Sequence, residues 1–148
     1  MLASLAATAA IPAYFSRSEV TLDNAARLLV DDLRQAQISA VYRNATVDVR
    51  FDPDGDGYTV IERGTRAAAD AVSVVRRYSR DAVFEGVRVS SLPSGAGHVL
   101  SFDADGTAQH GGSVTIAYRG DARTILVDAR RGTIRAPELE ACATRPAR

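Results

Sequence analysis

Leu22-Asp-Asn-Ala-Ala-Arg-Leu-Leu-Val-Asp-Asp-Leu-Arg-Gln-Ala-Gln-Ile-Ser-Ala-Val-Tyr-Arg-Asn44 is the stretch that decides the fold. Leu22, Ala25, Ala26, Leu29, Leu33, Ala36, Ala40 and Val41 recur at steps of three and four, the spacing of one helical face. Asp23, Arg27, Asp31, Asp32, Arg34, Gln35 and Arg43 occupy the other side. The spacing predicts a helix with one dry side and one wet side. Asn44 is the C′ residue expected at its end. The acids Asp31 and Asp32 are expected to be solvated or to meet neighbouring subunits.

Upstream, the chain from Met1 to Phe15 is apolar and uncharged. Pro12 divides this run from Tyr14 and Phe15, and a proline inside a helix kinks it. An aromatic pair after an apolar run suits a membrane–water interface. Ser16-Arg-Ser-Glu19 has the form of a capping box, so the amphipathic helix restarts there. The apolar run is short of the about 20 residues that a membrane span needs. It admits three readings: a cleaved signal peptide, the end of a membrane helix that begins further upstream, or an ordinary core helix. A signal peptide would carry a basic first segment, which is missing here.

Downstream the period changes from 3.6 to 2. Thr46–Phe51 and Tyr58–Arg63 alternate around Asp52-Pro-Asp-Gly-Asp-Gly57 and read as a hairpin. Gly64–Ala71 is a loop or short helical turn. Further strands are predicted over 72–77, 87–92 and 98–103. Ser113–Tyr118 and Thr124–Asp128 read as a second hairpin, joined through 119–123. Thr133–Arg135 adds a last short strand. Ala136 onward has little apolar content and reads as a mobile tail. One helix followed only by strands argues an α+β fold, with the helix packed on an antiparallel sheet. The division is 1–15 as membrane or filament-core helix, 16–136 as globular head and 137–148 as flexible tail. Leu22, Leu29, Leu33, Ala36 and Ala40 are the expected helix-to-head contacts.

Composition narrows the function. At 148 residues, 46% hydrophobic and 24% charged, the chain can bury one core. Its net charge is zero, so no overall field favours nucleic acid or acidic membranes. Its basic residues are all arginine. The lone Cys142 allows neither an internal disulfide nor a cysteine zinc site.

The order of these elements resembles a type IV pilin or a type II secretion pseudopilin. Ala10-Ile11-Pro12 resembles the step that closes the membrane half of such helices. Leu33–Asn44 followed by Val47-Asp-Val resembles the helix end and first strand of the GspH/FimT group of minor pseudopilins. Phe102-Asp-Ala-Asp-Gly106, Val114-Thr-Ile116 and Ile125–Arg135 resemble that group's later strands. The resemblance covers roughly residues 1–136. It implies a structural subunit without cofactor or enzymatic activity, anchored in the inner membrane by a single pass with its head in the periplasm. Leu2, Leu5, Ile11, Pro12, Tyr14 and Phe15 would form the membrane and filament core. Partners would be other pseudopilins or minor pilins through the N-terminal helix, the membrane itself and exported cargo. Family members begin with a basic leader, a cleaved Gly and a nearby Glu. These are missing here, so translation is expected to start upstream of Met1.

Two motifs carry alternative chemistry. Asp52, Asp54 and Asp56 before Gly57 match the opening of a calcium loop. Its twelfth position is Arg63 rather than an acid, and Asp-Gly turns are also what hairpins prefer. Arg130, Arg131 and Arg135 offer a small phosphate-binding patch. In some relatives a Gly-Arg-x-Arg motif serves DNA uptake; here Gly132-Thr-Ile-Arg135 has Thr in the first Arg position. The rival functions are therefore a DNA-binding minor pilin and a secreted soluble β-protein with Met1–Ala10 as signal peptide. No nucleophile elbow or Ser/His/Asp arrangement is visible, and no enzyme is expected.

Overall fold

The computed structural model describes residues 17–64, 69–91 and 97–143. Helix α1 (Arg17–Arg43) comes first. Then follow β1 (Val47–Phe51), β2 (Gly57–Glu62), β3 (Ala71–Arg77), a 3-10 turn (Tyr78–Arg80), β4 (Arg88–Ser91) and β5 (Val99–Phe102). The chain continues through β6 (Gly112–Tyr118), β7 (Asp121–Val127), β8 (Ile134–Arg135) and α2 (Pro137–Ala143).

The α+β reading holds, but the strands form two four-stranded sheets. Sheet A runs β3-β2-β1-β5 and sheet B runs β4-β6-β7-β8, with every pairing antiparallel. The dry face of α1 covers both. Leu22, Ala25, Ala26, Leu29, Leu33, Ala36 and Ala40 are buried with Val49, Tyr58, Phe102, Ile116 and Ile125 in one core. Small alanines at alternate contacts let the helix axis approach the sheets closely. Leu33→Ala removes a fully buried side chain at the centre of this contact. It is expected to cost about 2–5 kcal/mol, read as a lower urea midpoint with an unchanged slope.

Val41 departs from its expected place and is 51% exposed. One residue on from the buried Ala40, it is turned about 100° round the helix and off the dry face, with a methyl group beside the turn at Gly106. Asn44 ends α1 as expected, with φ +52°. Its N–H bonds to Val41 O and the N–H of Ala45 to Ala40 O, the paired closure of a Schellman motif.

Two loop expectations are corrected. The β6–β7 hairpin closes through Arg119 and Gly120 alone, since Tyr118 already pairs with Asp121. Both turn residues have positive φ, the tight geometry whose twist matches the strands. The segment read as a tail from 137 instead carries α2. Pro137 opens it, and Leu139 and Ala136 are buried with Val30 of α1. Glu138 accepts a bond from the N–H of Thr124, on the half of β7 that the two-residue β8 leaves open.

Candidate functional site

The outward face of α1 carries exposed apolar side chains. Val20 is 48% exposed near its start, and Ile38, Val41 and Tyr42 are 60%, 51% and 89% exposed in its last two turns. Arg27, Asp31 and Arg34 lie exposed between them. Leu2, Leu5, Ile11, Pro12, Tyr14 and Phe15, the expected membrane and filament core, lie outside the described residues. Among the described residues no helix is long and apolar enough to cross a membrane.

Polar clasps fix the helix to the head. Asp32 is not free on a wet face as expected: its carboxylate accepts from Tyr58 Oη (2.8 Å) and from both Arg76 Nε (2.8 Å) and Nη2 (3.3 Å). Burial pushes the Tyr58 hydroxyl far above the ordinary phenol range, so it stays a donor. Asp23 pairs with Arg123 on β7 at 2.8 Å. Glu62 on β2 takes Ser39 Oγ at 3.0 Å and Arg43 Nη1 at 2.8 Å. Gln37 donates to Gly106 O at 2.6 Å and to Gly132 O at 2.9 Å, tying two distant turns to one helix residue. None of these clasps was read from the sequence.

The Asp52-Pro-Asp-Gly-Asp-Gly57 turn works as a joint between the sheets. Asp56 accepts from the N–H and Oγ of Ser79, which holds its carboxyl below the usual range. Asp54 Oδ1 caps the N–H of Asp56, and the Asp54 carbonyl takes Arg88 Nη1 at 3.1 Å. Gly55 O accepts the N–H of Val89 on β4, and at φ +74° a Cβ there would stand 2.5 Å from Val89 O. Asp52 Oδ2 lies 2.9 Å from Arg77 Nη1, but the angles do not make a hydrogen bond. Burial raises the Asp52 carboxyl against the pull of Arg77. The three carboxylates thus point to protein partners rather than to one centre. Among the described residues no three His, Cys, Asp or Glu gather as a metal set.

The arginine patch is only partly assembled. Arg131 and Arg135 line one groove with Ser113, Leu126 and Asp128, and Arg130 is not among its walls. Asp128 Oδ1 accepts the backbone N–H groups of Arg130 and Arg131, which lowers its own carboxyl. Two cations beside a carboxylate supply few phosphate contacts.

Elsewhere the strongest polar site is Asp48 on β1, 2% exposed. It accepts Arg63 Nε and Nη2, each at 2.6 Å, and Ser101 Oγ at 2.7 Å. It faces outward from sheet A and stitches β1 to β5.

A family model for the type II transport protein GspH matches residues 25–131. The fold is similar to the type IV minor pilin FimU of Pseudomonas aeruginosa. The identity is 20% and the TM-score 0.62, covering 80% of this chain and 89% of that one. It is also similar to the minor pseudopilin EpsH of the type 2 secretion system of Vibrio cholerae. There the identity is 16% and the TM-score 0.61, covering 78% of this chain and 95% of that one. No curated sequence matches closely enough to count as a relative. The family match spans the dry face of α1 from Ala25 onward and, among the described residues, all but the last of the eight strands, and the chain therefore belongs to the GspH family of minor pseudopilins.

Proposed function

We propose that this minor pseudopilin is held in the bacterial inner membrane by one pass of its N-terminal helix, with its head in the periplasm. It enters a type II secretion pseudopilus or a type IV pilus by laying α1 against the helices of other subunits. The observation that carries this reading is the outward face of α1. Val20, Ile38, Val41 and Tyr42 stand exposed on a helix whose other face is already filled by its own head. Apolar side chains on a helix that its own domain cannot cover gain by packing against lipid or like helices. The head acts by shape and contact, and Asp32, Asp48 and Asp56 serve the fold by holding Tyr58, Arg63 and Ser79. Exported cargo and other minor subunits are its expected contacts.

Fractionation tests the anchoring. The full chain is expected to stay with membranes through a high-salt wash and to leave only with detergent. Deleting residues 1–15 is expected to move it to the soluble extract. Release of the full chain by salt alone would contradict the reading.

A further inference from the structure

Sheet A stops at β3. Among the described residues that strand pairs only with β2, so its far edge keeps backbone donors and acceptors without strand partners. Proteins usually blunt such an edge with short strands, prolines or inward-pointing charges. β3 runs seven residues, Ala-Val-Ser-Val-Val-Arg-Arg, with no proline and no acid. Val72 and Val75 are 61% and 56% exposed on it.

Because the sheet ends there, the helix beneath is left partly uncovered. A cleft of about 260 Å³ lies between Leu28 of α1 and Val75, Tyr78 and Phe84, with Arg76, Arg77 and Arg80 around it. Tyr78 is 1% exposed, and its hydroxyl has no hydrogen-bond partner. The lining carries three arginines and one acid. Asp32 holds Arg76 and Asp52 pairs with Arg77, but Arg80 makes no ion pair or hydrogen bond among the described residues. The one acid in the lining, Asp81, spends Oδ1 on the N–H of Val83.

We infer that this edge receives one further strand from a partner protein: an extended segment that sets an apolar side chain over Leu28 and Phe84 and a carboxylate on Arg80. Main-chain bonds to β3 give such a strand its affinity, and the cleft gives it specificity. Arg80, without an ion pair among the described residues, selects acid. A second copy of β3 fits poorly, because it brings arginines and no acid to an edge that already carries Arg76 and Arg77.

The test uses the full chain in detergent micelles and a fluorescent peptide of alternating valine and aspartate. Anisotropy is expected to show binding that weakens with salt. Replacing aspartate by lysine, or methylating alternate peptide amides, is expected to weaken it tenfold or more. Arg80→Glu and Val75→Glu, both at exposed positions, are each expected to do the same with unchanged melting temperature. Absence of binding, equal binding of the lysine peptide, or full affinity in Arg80→Glu would overturn the inference. Sedimentation showing a dimer that Val75→Glu dissolves would assign the edge to a second copy and overturn it equally.

Discussion

Gly132→Ala is expected to lower the melting temperature by roughly 10 °C, since each kcal/mol shifts a domain of this size by about 2–4 °C. Gly132 sits at φ +60° in the turn between β7 and β8. An L-residue held there costs about 1–2 kcal/mol in strain. The larger effect is space. A Cβ at this position would stand 2.2 Å from Gly106 O and 2.3 Å from Gln37 Nε2. One contact is backbone of a second turn and the other is the clasp itself, so neither yields without loss. Displacing Gln37 strands two carbonyls that it now satisfies at 2.6 and 2.9 Å. A buried acceptor left without a donor costs about 1–3 kcal/mol. Gln37→Ala is the control: it loses the bonds without the clash and is expected to fall between wild type and Gly132→Ala. Thermal unfolding by circular dichroism checks the order. A Gly132→Ala protein melting within about 2 °C of wild type would show that the turn is not tied to the helix.

Asp48→Ala carries the second large effect. The carboxylate is 2% exposed and neutralises Arg63, with Ser101 on its other oxygen. Removing one partner of a buried pair costs about 3–5 kcal/mol, because the other charge stays behind unpaired. Arg63 is 47% exposed at its side chain, can rehydrate and keeps Asp70 at 3.6 Å, so the loss is expected near 2–3 kcal/mol, below that range. Asp48→Asn keeps the acceptor for Ser101 and loses the charge, and is expected at about half the effect. Urea unfolding at low and at 1 M salt separates the causes. A loss that persists in 1 M salt marks the buried carboxylate, whereas one that vanishes would mark surface attraction alone.

The dry face of α1 was legible because burial on one side of a helix leaves a 3.6-residue period; Leu22 through Ala40 fall where that period puts them. Val41 broke the pattern because one step on from Ala40 is about 100° round the helix, which turns it off the dry face. Strand positions were legible from their alternation, but the split into two sheets was not. Alternation tells which side chains point inward, not which strand lies beside which. The clasps were illegible for a related reason. Gln37 reaches turns 69 and 95 residues away, and no local spacing records such a contact. Asp32 looked solvated because it adjoins Asp31 on the helix, yet Tyr58 and Arg76 reach it from β2 and β3. For α2 the signal was present: Pro137 suits a first helical position, and Glu138 follows it in the first turn. The calcium-like spacing of Asp52, Asp54 and Asp56 falls in an Asp-Gly turn whose carboxylates hold Ser79, Arg77 and their own backbone.

Assembly through α1 requires its outward face to meet other subunits. The most direct measurement places a photoreactive residue at Ile38 or Tyr42, both exposed on the helix, in the full chain in its native membranes. Illumination is expected to yield adducts with other pilin-like subunits, and deletion of residues 1–15 is expected to abolish them. A full chain that yields no such adduct from either position would contradict the account.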